Sequence, residues 1–415
     1  MKCFFMISRS NFLEKSFLAA LSTAGIQTSL SADSKKKTVI LRSSWQTVNI
    51  GDIAHTPGVL HLLEKYCTNV TVKLWPSDTR NGVKEMLQAR FPQVEILERS
   101  QLNQAMKEAD FLLHGSGPSL VARRDVKRWV DATNKPFGVF GITLGSVEQE
   151  QKDLLSKAEF IFFRDSKSLA LAKKNGITSP IMEFGPDGAF AVDLRDESKA
   201  KQFLQSNNLK EGNFMCCIPR LRYTPYWKIK NKPFNKERHL RNEEMKEHDH
   251  APLREAIIAV TQETDMKILI CPEDKSQMVI GKEMLYDKLP EETKKKVVWR
   301  ENYWLTNEAL SVYTKSAGLF GLEMHSPIMC IGNEIPAVVC RFHEQTSKGY
   351  MWEDIGLNDW LFDMDQPENI KRITSTVLDI AKNPLAAKQK AKQAKARVKG
   401  FQVNMTSKLL HTLKA

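Results

Sequence analysis

The chain lacks most of the features that assign a function at sight. No run of roughly 18 or more apolar residues occurs, so no segment reads as a membrane-spanning helix. There is no Gly-rich phosphate loop ending in Lys and Ser or Thr, and no dinucleotide fingerprint, so nucleotide dependence has no motif behind it. The seven cysteines, Cys3, Cys67, Cys216, Cys217, Cys271, Cys330 and Cys340, form no Cys-x-x-Cys pair and are odd in number. That pattern indicates neither a zinc ribbon nor a disulfide framework, and most of these residues lie in apolar, strand-like runs as buried thiols. No metal site is expected, because His248-Asp249-His250 offers adjacent ligands with no third in register and reads as a solvated loop.

What is present is the composition of a soluble globular protein, 415 residues with 42% hydrophobic and 27% charged, long enough for two cored domains. The net charge of +12 is uneven: from Lys382 to Ala415 there are nine Lys or Arg and no acid, which leaves +3 for the rest. The excess therefore belongs to the run Ala386 to Lys395, whose Ala, Lys and Gln favour a solvated helix. No aromatic interleaving accompanies it, so no nucleic-acid partner is expected.

From Lys37 onward, short apolar strands alternate with amphipathic helices. Strands are expected at Thr38–Arg42, Val70–Trp75, Val94–Leu97, Phe111–His114, Phe137–Phe140, Phe160–Phe163 and Ile181–Phe184. The alternation resumes after Gly212, with strands at Lys267–Cys271, Val297–Trp299, Gly318–Leu322 and Ala337–Arg341. Continuous apolar strands with helices between them argue a parallel sheet covered on both faces. The fold class is therefore α/β, two facing Rossmann-like domains of GT-B type with a cleft between them. The expected organisation is a leader over 1–34, a first domain over 37–210, a second over 212–382, and a basic helical tail over 383–415. Between Tyr223 and Ala251 the chain reads as a long charged insertion, in which Tyr226 and Trp227 are placed to stack on a sugar.

Candidate site residues fall where strands end. Asn49-Ile50-Gly51-Asp52 opens the first helix, with Asp52 available to cap it or to hold a ligand hydroxyl. His114-Gly115-Ser116-Gly117 offers backbone amides without bulk. Phe184-Gly185-Pro186-Asp187 is a turn carrying a carboxylate. Arg220 and Arg222 suit phosphate or carboxylate, which a guanidinium grips bidentately. Glu323 and His325, two residues apart after the apolar run Ala317–Phe320, would share one face of an extended segment at the cleft. Tyr303 and Trp304 are read as core and cleft lining.

Taken in order, these segments resemble the polysaccharide pyruvyl transferase family, from about Thr38 to Ala381. The resemblance rests on Asn49 to Asp52, His114 to Gly117, Gly141 to Ser146, Arg164-Asp165, Asp187, Arg220, Met324-His325, Ile335 to Val338 and Lys348. It implies transfer of a pyruvyl group from phosphoenolpyruvate, a co-substrate rather than a bound cofactor, onto a sugar of a glycan as a cyclic ketal. It also implies a glycan, sugar-nucleotide or lipid-linked sugar as acceptor. Under it, His325 moves the proton, Arg220, Arg222, His325 and Lys348 hold the donor, and Asn49, Asp52, His114, Ser116, Tyr226 and Trp227 face the acceptor. The family commonly has Arg two residues before the His, where this chain has Glu323. The exchange turns attraction into repulsion, where one unit-charge contact is worth on the order of 4 kcal/mol at 4 Å and an effective dielectric of about 20. This leaves a second reading open: a glycan-active hydrolase, lyase or non-catalytic carbohydrate-binding relative, with Glu323 paired to Asp187 or Glu344 for acid/base work. The first residues, Ser8 to Lys15 followed by Phe17–Leu21, resemble a twin-arginine leader with Ser10 in place of the second Arg. A functional leader implies export to the periplasm, and otherwise the chain stays in the cytoplasm.

Overall fold

The computed structural model describes residues 36–414. The leader expected over 1–34 and Cys3 lie outside the described residues. The first sheet contains β1 (Lys37–Ser43), β2 (Val70–Pro76), β3 (Glu95–Ile96), β4 (Phe111–His114), β5 (Phe137–Ile142), β6 (Phe160–Phe163) and β7 (Met182–Phe184). All pairings are parallel, in the order β3-β2-β1-β4-β5-β6-β7. The second contains β8 (Phe214–Ile218), β9 (Lys267–Ile270), β10 (Val297–Trp299), β11 (Gly318–Gly321), β12 (Ala337–Arg341) and β13 (Leu361–Asp363), again parallel, in the order β10-β9-β8-β11-β12-β13. Both are doubly wound sheets with a switch point, between β1 and β4 and between β8 and β11, where loops diverge to opposite faces and leave a crevice.

The strands form where apolar, β-branched and aromatic residues run uninterrupted, because both faces are covered. β4, β6, β8 and β12 are buried at every position. Phe111, Phe140, Phe160 and Phe162 pack as one aromatic group beneath the first sheet, with centroids 5.6–5.7 Å apart. Cys216, Cys217, Cys271, Cys330 and Cys340 are buried free thiols of the second half, and Cys67 one of the first, as their sequence surroundings indicate.

Three elements differ from expectation. The charged stretch after Tyr223 is not an irregular insertion: Lys236–Glu263 is one helix, capped by Asn235, whose Oδ1 accepts from the Arg238 amide at 2.9 Å. Its first turns are charged all round, which hides the periodicity, and the apolar residues of its buried side, such as Leu253, Ala256, Ile257 and Val260, fall in its second half. The terminal helix Pro384–Lys414 is not merely solvated. Its lysines Lys388, Lys392 and Lys399 are exposed, but Ala387, Ala391, Ala394, Val398, Met405, Leu409 and Leu413 form a buried stripe. The helix reaches both halves: Lys395 pairs with Glu334 at 3.1 Å, while Phe401 packs edge-on against Phe184 at 4.9 Å and Asn404 donates to Glu183 at 2.6 Å. Finally, β13 was not foreseen, being only three residues long.

Candidate functional site

The C-terminal ends of both sheets face one crevice, and the helix Ile50–Tyr66 enters it at its N-terminus. Asn49 caps that helix, its Oδ1 accepting from the amides of Gly51 (2.7 Å) and Asp52 (3.0 Å). The cap also ties the halves together. The Ile50 amide donates to the Glu273 carbonyl at 2.9 Å, the Lys275 amide to the Val48 carbonyl at 3.1 Å, and the Thr306 hydroxyl to the Ile50 carbonyl at 2.9 Å. Asn49 is thus occupied as a cap and joint rather than directed at an acceptor.

The first half contributes a buried polar chain. Asp187 is fully buried and holds Arg164 at 2.6 Å and the Nδ1 of His55 at 2.8 Å. Burial works to raise its pKa, but the neighbouring His55 and Arg164 outweigh it and hold the carboxylate well below the usual range. Ser116 Oγ lies 3.0 Å from the same Nδ1 and accepts from the Gly188 amide at 3.0 Å. Asp187 and Ser116 therefore position His55, and both Asp187 oxygens are taken up by His55 and Arg164 rather than presented to a substrate. His114 is also withdrawn: it is fully buried, stacks on Trp45 at 5.0 Å, and accepts from the Ala122 amide at 3.3 Å. Burial, then the charge of Arg42, pushes its pKa down to about 3.

The second half supplies Arg220 after β8, Glu273 and Asp274 after β9, Glu323 and His325 after β11, and Lys348 on the segment His343–Tyr350 after β12. β11 stops at Gly321, and His325 begins the helix His325–Gly332, so Glu323 and His325 are not on one face of a strand. Instead Glu323 accepts from Arg220 at 2.5 Å and from Gln277 at 2.7 Å, while His325 Nδ1 meets Glu273 at 3.3 Å. Three carboxyls are thus buried near two cations. Burial pushes Glu323 and Glu273 above their ordinary pKa. Burial and the adjacent Glu323 raise Asp274 to about 6. Burial, then Arg220, lowers Lys348 to about 8, and among the described residues this ammonium closes no salt bridge. Burial, then the charge of Lys348, holds His325 well below its ordinary value, so its imidazole is neutral.

Two further expectations change. Arg222 is enclosed by Asp249 at 2.9 Å, Glu344 at 3.1 Å and Asp365 at 2.6 Å, three carboxylates that take four of its five N–H donors and compensate its charge. Glu344 is thereby held below its usual pKa: burial alone would raise it, but Arg241 and Arg222 prevail, and it cannot be the acid partner of Glu323. The same knot draws Asp249 into helix Lys236–Glu263, so His248-Asp249-His250 is not a solvated loop, and His250 is buried. Tyr226 stays in the crevice beside Gln46 and Asp52, its pKa raised by burial and then by Asp52. Trp227 turns away into an aromatic group with Phe234 (5.5 Å) and His239 (6.5 Å). Tyr303 keeps a buried hydroxyl without a partner among the described residues, whereas Trp304 is core and donates to the Pro272 carbonyl at 2.8 Å.

Residues missed from sequence are His55, Glu273 and Asp274. His55 was legible in principle, since it follows Asp52 by three on a helix and so shares its face. Its Nε2 lies 4.0 Å from Asp52, and its ring meets that of His325 edge-on at 4.8 Å. Asp52, His55 and His325 present donor atoms within 4.8 Å of one another.

The sequence profile described as polysaccharide pyruvyl transferase matches residues 49–344, well over half of the chain, and spans every crevice segment up to Glu344. The chain belongs to the polysaccharide pyruvyl transferase family. No curated protein sequence is significantly similar to it. Among solved structures, it resembles the S. aureus MnaA–UDP structure (TM-score 0.56, 9% identity, covering 89% of this chain and 94% of that one). It also resembles Anabaena Alr3699/HepE in complex with UDP and glucose (0.55, 10%, 91% and 99%) and the Neisseria meningitidis UDP-GlcNAc 2-epimerase (0.54, 9%, 90% and 100%). At such identities the likeness establishes the fold, which is GT-B. Within this pyruvyl transferase family member, Arg220 and Lys348 stand in the crevice, with Arg220 paired to Glu323.

Proposed function

We propose that this family member transfers a pyruvyl group from phosphoenolpyruvate to two hydroxyls of a sugar, releasing inorganic phosphate and leaving a cyclic ketal. The observation that carries this reading is the meeting of Arg220 and Lys348 with protonatable buried carboxyls at the ends of β8, β9, β11 and β12. The reaction needs both: cations for the donor's phosphate and carboxylate, and an acid for its methylene carbon.

Lys348, protonated at neutral pH and free of a salt bridge, takes the donor's anion first. Arg220 is held by Glu323, and a donor anion competes for it. Protonation of Glu323, favoured by its burial, releases the guanidinium, so the Glu323 that replaces the family's Arg acts as a gate on donor binding. His325 is neutral and cannot serve as a cationic acid, so proton delivery passes to Asp274, whose pKa of about 6 keeps a useful protonated fraction near neutrality. The methylene carbon receives that proton, a sugar hydroxyl adds to the central carbon and returns its proton to the Asp274 carboxylate, the C–O bond to phosphate breaks, and the second hydroxyl closes the ketal as its proton passes to the departing phosphate. Asp52 and Tyr226 face the acceptor. UDP and UDP-glucose occupy the neighbouring structures from S. aureus and Anabaena, and we take a sugar nucleotide or a glycan as the acceptor class.

The test is incubation with phosphoenolpyruvate and a panel of sugar nucleotides and oligosaccharides, following phosphate release and the ketal methyl resonance. Acceptor-dependent phosphate release with a new methyl signal is expected. Sugar cleavage without any donor would overturn this reading in favour of glycan hydrolysis by Asp274 and Glu323.

A further inference from the structure

We infer that Asp52, His55 and His325 form a binding site for a divalent transition cation, with the zinc ion as its archetype. The inference is independent of the donor chemistry above, because it rests on side-chain arrangement alone.

The tautomers are dictated by neighbours. His55 Nδ1 faces the Asp187 carboxylate at 2.8 Å, an acceptor only, so Nδ1 carries the proton and Nε2 keeps the lone pair. His325 Nδ1 lies 3.3 Å from Glu273, which in its carboxylate form accepts from Nδ1 and leaves the lone pair on Nε2. Both Nε2 atoms are buried without a hydrogen-bond partner among the described residues, although leaving such an atom unsatisfied costs about 1–3 kcal/mol. Two orphaned lone pairs on rings that meet at 4.8 Å, with a carboxylate 4.0 Å from one of them, are hard to explain as packing. They match the arrangement in which each ligating imidazole donates its other N–H to a carboxylate, which fixes the ring and raises its basicity.

The donor set also fits. Two imidazoles and one carboxylate leave open positions on a tetrahedral or octahedral ion, as catalytic zinc sites do. Ligands at about 2.0–2.1 Å from an ion stand roughly 3.4 Å apart in a tetrahedron. The atoms here lie within 4.8 Å of one another, and Asp52, the least buried of the three and hydrogen-bonded to Gln46, is the ligand with most room to adjust. The histidines are already fixed: His55 by Asp187 and Ser116, His325 by Glu273 and by the glycine at position 51 against its ring. Tyr226 lies beside Asp52 in the crevice, and an ion held there would acidify a sugar hydroxyl.

The experiment uses the full chain, free of any affinity tag, stripped with chelator and dialysed against micromolar zinc chloride. Bound metal is measured by elemental analysis, and in parallel the visible spectrum is recorded after loading with cobalt chloride. One equivalent of zinc is expected, with an intense cobalt spectrum showing nitrogen ligation. His325→Gln and His55→Gln abolish retention, Glu273→Gln weakens it by about 10–100-fold, and His239→Gln, a half-buried histidine away from this cluster, leaves it unchanged. Asp52→Asn supplies a variant whose partly exposed position does not threaten folding, and it also loses zinc. Failure of the natural chain to retain zinc, or equal retention by the natural chain and by Asp52→Asn and His325→Gln, overturns the site.

Discussion

Gly51 and His325 are in direct contact across the two halves of the molecule: a methyl group at position 51 would stand 2.2 Å from the His325 Cβ and 2.6 Å from its Nδ1. The glycine of the Asn49-Ile50-Gly51-Asp52 segment is therefore a requirement of close approach. It lets the first turn of the helix Ile50–Tyr66 lie on the imidazole, which brings Asp52 and His55 to His325. Gly51→Ala forces that contact apart at a cost of about 1–3 kcal/mol. Urea unfolding is expected to report this loss, and turnover to fall more than stability does.

Asp187 gives a second prediction. Asp187→Ala strands the Arg164 guanidinium in a fully buried position and releases His55, a loss of roughly 3–5 kcal/mol. Because the folded carboxylate is held below its unfolded pKa, its contribution is present above that unfolded value and disappears as pH falls through the folded one. Urea midpoints of natural and variant chains should therefore converge towards acid pH.

Asp274 behaves in the opposite sense. Its folded pKa of about 6 exceeds the ordinary 3.8, so the folded chain holds this proton more tightly than the unfolded one. Stability is greatest below about pH 4 and is lost as pH rises through about 6, by roughly 3 kcal/mol in all. Asp274→Asn removes the dependence. The variant should gain on the natural chain between about pH 4 and 6 in urea titrations, and lose turnover at every pH.

Lys348, with a pKa of about 8, predicts an alkaline limb. As pH rises through about 8 the ammonium loses its proton and the donor KM climbs. Lys348→Arg should carry donor binding past this limb, since a guanidinium stays charged, while Lys348→Met should raise the donor KM at all pH values.

The terminal helix predicts a structural effect. Leu409 is fully buried on its inner stripe, and Leu409→Ala should cost roughly 2–5 kcal/mol, read by thermal or urea unfolding.

The fold was largely legible because both sheets are parallel and covered: β4, β6, β10 and β12 have the same bounds as the runs read from sequence, and buried apolar strands leave uninterrupted runs. The second half of helix Lys236–Glu263 reads as a helix over Pro252–Thr264, but its first half does not, because it buries little and shows no period. The basic tail misled because alanine is small enough to pack inward while its lysines dominate the count. In the site, Asp52, Arg220, Glu323, His325, Tyr226 and Lys348 do converge. Arg222, Asp187 and Trp227 were misjudged because burial and pairing depend on distant segments: Asp249 and Asp365 for Arg222, Arg164 and His55 for Asp187, Phe234 and His239 for Trp227. Glu273 and Asp274 follow Pro272 and read as an ordinary turn.

The most direct test of pyruvyl transfer is calorimetric titration of phosphoenolpyruvate into the natural chain, Lys348→Met and Glu323→Arg. The account predicts binding to the natural chain with a Kd of roughly micromolar to low millimolar, weakened at least about tenfold in Lys348→Met. Binding by Glu323→Arg alone, with none by the natural chain, would contradict it: the Arg220–Glu323 pair would then exclude the donor rather than gate it.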